Sequence, residues 1–302
     1  MPVATYSIVA RDPVTGDMGV AVQSHWFSVG PVVAWAEAGV GAVATQSFVR
    51  VAYGPEGLAA MRAGEDPAQA LARLVATDNS RDVRQLAFVD AKGRVAAFTG
   101  ERCIYAAGHQ TGDGYSVQAN LMESPTVWPA MAAAFEAAEG PLAERMLAAL
   151  EAAEAEGGDI RGRQSVAIVV VRGTATDEPW TDRLVDLRVE DHPDPLGEMR
   201  RLLRLHRAYE RMNAGDLRFE EGDVEGAMEE YTAALALAPE VYEIAFWAGI
   251  TLAGSGNEEE AIPLLRRAYA AEPRMRELVA RLPASGLLPD DPDLIARLTA
   301  KE

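Results

Sequence analysis

Cysteine occurs once in 302 residues, at Cys103, and lysine twice, at Lys92 and Lys301. A lone cysteine excludes an internal disulfide and a thiolate metal cluster. Two lysines leave few amines for Schiff-base chemistry, and the other cationic side chains are all arginine, which favours fork-shaped ion pairing. Histidine is also sparse: His25, His109, His192 and His206 stand at no metal-ligand spacing. No apolar run approaches the roughly 18 residues of a membrane span, and no basic segment leads into an apolar stretch of signal-peptide type. A cytoplasmic chain that crosses no membrane is therefore expected. Positive charge is in short supply too, with a formal net charge of -18, so the summed field repels phosphate backbones and anionic headgroups and no nucleic-acid partner is expected. The chain has no phosphate-binding loop, GxSxG elbow or HExxH, and no GxGxxG placed after a strand. Their absence removes the common nucleotide, hydrolase and zinc readings, and no cofactor or metal is implied.

What is present is an ordinary globular composition, 49% hydrophobic and 25% charged, sufficient for a sizeable core. The first half carries short apolar runs at 5–12, 18–24, 39–47, 84–90 and 94–100, which predict strands. Asp12-Pro13 through Gly16-Asp17 and Ala91-Lys92-Gly93 supply turn chemistry between neighbouring runs and imply antiparallel hairpins. Helical patterns lie at about 55–63, 67–77, 124–137 and 141–156, and strand patterns return at 164–172 and 183–191. The order is strands, two helices, strands, two helices, strands. Two helical layers covering a two-sheet core would bury every apolar face, which predicts an α+β domain built as a four-layer αββα sandwich over 1–197.

After His192-Pro193-Asp194-Pro195 the strand signal vanishes, and 198–302 reads as an all-α domain. This region matches itself at a period of 34: Ala214 and Ala248, Gly215 and Gly249, Gly222 and Gly256, Ala227 and Ala261, Ala234 and Ala268, Pro239 and Pro273. Small residues where paired helices meet, with proline after the second helix, resemble tetratricopeptide repeats at about 208–241 and 242–275. Such a segment predicts a protein or peptide partner, the alternative being helices that only complete the fold or a homodimer interface.

The first strand starts at the N-terminal end of the sequence and alternation places Thr5 and Ser7 on one side of it, Ser7 being the reserve nucleophile to Thr5. A threonine made N-terminal by trimming can use its own amine, of pKa near 8, to take the proton from its own hydroxyl, and needs no histidine. His25, after the second strand in Ser24-His25, is either an acid or base or a hydrogen-bonded strand-end residue, and His109 in AGHQTG carries the same two readings. Cys103 reads as a small buried side chain. Thr45-Gln46-Ser47, ending a strand, and Asn120, in the QANL loop, are candidate amide donors to an oxyanion. Arg161, Arg163 and Gln164, beside Asp159, either clamp a substrate carboxylate or pair with acids to fix the turn, and Asp186 and Asp191 read as similar structural acids. A serine hydrolase using Ser24 or Ser165 with a histidine is a third option, with Ser24 also placed to contact substrate.

The runs TYSIVARDPVTGDMGVAVQS, GVGAVATQ, YGPEGL, VRQLAFVD, GRVAAFTG, GGDIRGRQSVA and DLRVEDHPDPLGEM occur in order across residues 1–200 and resemble the domain-of-unknown-function family 1028. That family is placed among the N-terminal nucleophile hydrolases. The resemblance implies their αββα fold and an amide-bond hydrolase acting on a small amide, ureido compound or peptide. It implies Thr5 as nucleophile, because members often begin Met-Thr-Phe-Ser-Ile-Val-Ala. In this chain Met1-Pro2-Val3-Ala4 precede Thr5, and methionine removal alone would expose Pro2, so self-cleavage, another protease or a downstream start is required. The competing expectation is a non-catalytic scaffold or adaptor that recruits a partner through the helical repeats.

Overall fold

A computed structural model of the chain describes residues 2, 3 and 5–300, with side chains from residue 5 onward. In chain order the first unit contains β1 (Pro2–Val3), β2 (Thr5–Arg11), β3 (Met18–Ser24), α1 (Gly30–Val33), β4 (Ala34–Glu37), β5 (Gly41–Phe48), α2 (Tyr53–Arg62), α3 (Pro67–Ala76), β6 (Arg84–Asp90), β7 (Val95–Thr99), β8 (Gly108–Gly112), β9 (Tyr115–Asn120), α4 (Val127–Ala137), α5 (Leu142–Ala155), β10 (Ser165–Val171) and β11 (Arg183–Val189). Helix α6 (Pro195–Glu220) follows, and then α7 (Val224–Leu237), α8 (Tyr242–Gly254), α9 (Glu258–Ala271), α10 (Met275–Val279) and α11 (Pro292–Leu298). The chain divides into two compact units, residues 1–203 and 204–302.

In the first unit the strands form two sheets with antiparallel pairing throughout. One holds β1-β5-β6-β7 with β4 also on β5, and the other runs β11-β10-β3-β2-β9-β8. Alternation along each strand sorts its residues between two cores. On β2, Tyr6, Ile8 and Ala10 join Met131, Phe135, Met146 and Leu150 of α4 and α5. From the other face Val9 meets Ala42, Ala44, Ala87 and Val89 of the facing sheet. Val43, Leu86 and Phe88 then pack outward against Leu58, Leu71 and Leu74 of α2 and α3. Helices thus cover the outer face of each sheet, and the inner faces share one core. Because the central strands are buried on both sides, they read as near-continuous apolar runs.

Turn chemistry sets the register. Asp12 Oδ1 accepts the backbone N–H groups of Val14 and Thr15 at 2.8 and 3.1 Å, closing the β2–β3 turn. Asp66 caps α3 by accepting from Ala68 N, with Pro67 in the first turn. Two regions differ from the sequence reading. A short helix and strand, α1 and β4, precede β5, and the segments carrying His109 and Asn120 are strands of a hairpin, β8–β9, rather than loops. Alternation is hard to see in GHQTG and YSVQAN because their inward side chains are themselves polar.

In the second unit the 34-residue period is structural. A Cβ on Gly215 would lie 2.5 Å from the ring of Tyr231, and one on Gly249 would lie 2.8 Å from Leu265 Cγ. Tyr231 and Leu265 are themselves one period apart, so each pair of helices closes by seating a large side chain on a bare glycine. Gly222 and Gly256 end the first helix of each pair at φ 85° and 84°, a conformation that glycine adopts without steric cost. Tyr231, Phe246, Ile250 and Leu252 are fully or almost fully buried in this unit.

Candidate active site

Thr5 opens β2 with its side chain buried. In register it faces Ser24 on β3 and Asn120 on β9, and Ser24 in turn faces Ser165 on β10. Asn120, Thr5, Ser24 and Ser165 therefore form a polar row across adjacent strands at one end of the sheet, and all are buried. One step inward Ser7 faces Gln118, and from the opposing sheet come Gln46 and Gln85, paired across β5 and β6. Polar groups withdrawn from water cost stability unless they are bonded to each other, and here they are.

Thr5 Oγ1 donates to Ser24 Oγ at 3.3 Å. Its carbonyl oxygen accepts from Gln46 Nε2 at 3.3 Å and from Asn120 Nδ2 at 3.4 Å. Ser7 Oγ donates to Gln46 Oε1 and accepts from Gln118 Nε2, both at 2.6 Å, while Ser116 Oγ donates to Gln118 Oε1 at 2.9 Å. The main chain of Thr5 is thus clamped from both sheets, whereas its hydroxyl is held by a long bond to a second hydroxyl. Ser47, directly after Gln46, and Leu121, directly after Asn120, have φ of 67° and 61°. Side-chain-bearing residues pay about 1–2 kcal/mol for that conformation, so strained backbone flanks both clamping amides.

The other residues singled out from sequence fall around this row. His25 lies just beyond Ser24 with its side chain at the surface, and its backbone N–H donates to Asp159 Oδ2 at 3.2 Å. Arg161 gives Nε and Nη2 to the two oxygens of Asp159 at 3.0 and 2.8 Å, the Asp159 side chain being fully buried. Arg163 pairs with Glu154 at 3.5 Å and Asp194 at 3.4 Å. Gln164 donates Nε2 to Asp191 at 3.0 Å and its backbone N–H to Ser24 O at 3.1 Å. Asp159 and Gln164 bond the main chain at the end of β3, while Arg161 pairs within the 159–164 loop and Arg163 reaches Glu154 and Asp194. Ser165 Oγ is engaged by main chain, donating to Trp26 O at 2.5 Å and accepting from Val29 N at 3.1 Å. Thr45 Oγ1 donates to Arg50 O at 3.2 Å, and Asp186 pairs with Arg183 and Arg188. Burial pushes the Cys103 thiol pKa up, and its Sγ donates to Arg84 O at 3.3 Å, as suits a packed side chain rather than a thiolate.

Gln85, Gln118 and Ser116 were not singled out from the sequence. The usable signal was period two: Gln118 and Asn120 share a face of one strand, and Gln85 shares a face of β6 with the inward Ala87 and Val89. On the outer face, the Tyr6 hydroxyl donates to Glu154 Oε2 at 2.7 Å and also touches Gln23. Burial, then the charge and hydrogen bond of Glu154, raise its pKa well above 10. Among the described residues no group of three or more His, Cys, Asp or Glu is arranged to hold a metal ion, and no helix is long and apolar enough to cross a membrane.

Residues 5–199, with the polar row at their start, match the family of unknown function DUF1028. The chain belongs to the DUF1028 family. The crystal structure of protein SPO2555 from Silicibacter pomeroyi, described by the same family, is similar at 33% identity and a TM-score of 0.60, over 66% of this chain and 84% of that one. Beyond the DUF1028 domain, residues 218–282 match a tetratricopeptide repeat, and Tyr231 and Leu265 within it make the repeated contact, with Gly215 and Gly249. Such repeats indicate protein interactions. No protein of curated function matches the chain.

Proposed function

We propose that the DUF1028 domain is a four-layer αββα sandwich of the N-terminal nucleophile hydrolase type, and that it cleaves an amide bond with Thr5 as nucleophile. The observation that carries this reading is the placement of Thr5: first residue of a central strand, buried, its carbonyl held by amides from both sheets and its hydroxyl by Ser24. The family match also opens at Thr5. Once the bond before Thr5 is cut, its amine takes the hydroxyl proton and Oγ attacks the substrate carbonyl. The leaving amine departs with a proton, and water then releases the acyl group from Oγ. Met1 and Ala4, on which that trimming turns, lie outside the described residues. Gln46 and Asn120 act on the main chain of the nucleophile, and Ser7 supports Gln46.

The substrate is a small amide, ureido compound or peptide. Phe27, Tyr105 and Ile160, exposed at 64%, 79% and 60%, sit on loops at the Thr5 end of the strands. Since Arg161 and Arg163 are paired with acids there, an apolar substituent suits this mouth better than a carboxylate. The helical repeats favour a second role alongside, recruitment of a protein or peptide partner.

The test is the intact mass of C-terminally tagged protein, followed by exposure to a β-lactone probe. A mature chain beginning at Thr5, acylated on that residue, supports the reading. A chain that retains Met1 or Pro2 and resists the probe overturns it and favours the adaptor role alone.

A further inference from the structure

We infer that Gln85 is the positioning residue of this site: it dictates which way the side-chain amides of Gln46 and Asn120 face, and through them holds Thr5. Its consequence for rate rests on the reading of Thr5 as nucleophile, whereas its consequence for amide orientation does not.

Gln85 is fully buried on β6, yet its side chain reaches into the other sheet. Its Nε2 has three acceptors in range: Ala119 O at 2.9 Å, Gly108 O at 3.1 Å and Thr99 Oγ1 at 2.9 Å. Two of these are backbone carbonyls, which accept and never donate. They are register partners on β8 and β9, so their positions are set by the sheet rather than by a rotatable side chain. The NH2 end of Gln85 must therefore point at them, and its oxygen must point at the site.

That oxygen accepts from Gln46 Nε2 at 2.7 Å and from Asn120 Nδ2 at 3.0 Å, occupying both of its lone pairs. Each of these amides turns its NH2 inward toward it, Gln46 with the further help of Gln118 O at 3.3 Å, and each uses the same nitrogen to reach Thr5 O. The Gln46 oxygen, turned away, is left to accept the Ser7 hydroxyl. Had Gln85 been reversed, its NH2 would oppose the NH2 groups of Gln46 and Asn120, and neither could keep its nitrogen on both Gln85 and the Thr5 carbonyl. A single orientation, fixed by two main-chain carbonyls, thus propagates through three amides to the nucleophile. The chain also continues outward: Thr99 Oγ1, which accepts from Gln85, lies 2.8 Å from His109 Nδ1. His109 lines a cavity of about 580 Å³ with Cys103, Tyr105 and Trp128.

The experiment compares the full-length chain with Gln85→Met, which keeps length and loses every hydrogen bond, and Gln85→Asn, which keeps the amide on a shorter arm. Two readouts are taken on each. Side-chain NH2 resonances of Gln46 and Asn120, observed in 15N-labelled protein, are expected to exchange slowly with solvent in the wild type. They should lose protection at least tenfold in Gln85→Met, with partial retention in Gln85→Asn. Acylation of Thr5 by the β-lactone is expected to show a maximal rate lowered by about a hundredfold in Gln85→Met, with the half-saturating concentration within about threefold, because a displaced nucleophile loses rate rather than binding. Slow exchange persisting in folded Gln85→Met would overturn the inference, as would an acylation rate equal to wild type. Loss of protection in a protein whose wild type is never acylated would support the positioning role while sinking Thr5 as nucleophile. Should Gln85→Met fail to fold, Gln85→Asn carries the same two readouts, and wild-type exchange in both of its measurements would overturn the inference.

Discussion

Ser7 and Gln46 meet at 2.6 Å across the space between two sheets, in an interior otherwise filled at that level by Val9, Val20, Val22, Ala44 and Ala87. An apolar interface alone tolerates sliding, whereas a buried hydroxyl–amide pair fixes one register and charges a penalty for any other. Removing one partner strands the rest. Gln46→Leu takes one bond each from Ser7, the Gln85 oxygen and the Thr5 carbonyl, which keep only Gln118 or Asn120, and is expected to cost about 3 kcal/mol, and Ser7→Ala about 1–2 kcal/mol. The double variant is expected to be more stable than the sum of the two by about 1 kcal/mol, since each deletion removes part of what the other would break. Urea unfolding of the four proteins measures this, and strict additivity would show that the two residues are not coupled.

The bond that the Thr5 hydroxyl gives Ser24 is long, at 3.3 Å, and its loss is a small cost. Thr5→Ala is therefore expected to lose acylation and turnover entirely while losing only about 1 kcal/mol of stability, and Thr5→Ser to keep a measurable rate. A Thr5→Ala protein that still turns over an amide would remove Thr5 from the chemistry.

The fold was largely legible because its signals are local. Asp12 to Asp17 and Ala91 to Gly93 are turn sequences, and the runs around Ile8, Val20, Phe88 and Ile168 are too apolar to be anything but buried strands. Thr5 and Ser7 could be placed on one face by counting in twos. The partners of Thr5 could not be found that way. Gln46, Gln85 and Asn120 come together only when two sheets stack, and no periodicity within a single strand reports which residue of a distant strand will face it. Arg161 and Arg163 show the same limit from the other side. Two arginines after a glycine turn read equally well as a carboxylate clamp or as ion pairs, and their pairing with Asp159, Glu154 and Asp194 involves residues no local pattern ranks. The repeats were the reverse case, since a 34-residue period is long-range information written into the sequence itself.

In the second unit, Gly215 and Gly249 are predicted to be interchangeable in their behaviour. A methyl group at either would be driven into Tyr231 or Leu265, at 2.5 and 2.8 Å. Overpacking of this kind costs about 1–3 kcal/mol, so Gly215→Ala and Gly249→Ala should each lower the thermal midpoint of the helical unit by several degrees. Trimming the partner, as in Gly249→Ala with Leu265→Ala, should give back part of the Gly249→Ala loss. Equal stability of Gly249→Ala and wild type would show that the helices are not in close contact there.

Acid should loosen the edge of the site before it unfolds the chain. Asp78 accepts from Arg84 Nε at 2.8 Å, Tyr53 Oη at 2.9 Å and Ser80 N at 2.8 Å, with its side chain 9% exposed. Burial by itself would raise its pKa, but the Arg84 guanidinium, the Ser80 amide and the Tyr53 hydroxyl together hold it down at about 2, against an ordinary 3.8. A carboxylate depressed in the folded state stabilises the fold fully above the unfolded value and loses that contribution as pH falls through the folded one. The window is therefore about pH 4 to 2, and the loss about 2 kcal/mol. Arg84 is the neighbour of Gln85 in sequence and also donates to Phe48 O at the end of β5, so releasing it frees the strand end that carries the amide network. Asp78→Asn should be less stable than wild type at pH 7 and should lack this acid-dependent step. Denaturant midpoints for both proteins from pH 5 to 2 decide it, and parallel curves would show that Asp78 is not the titrating group.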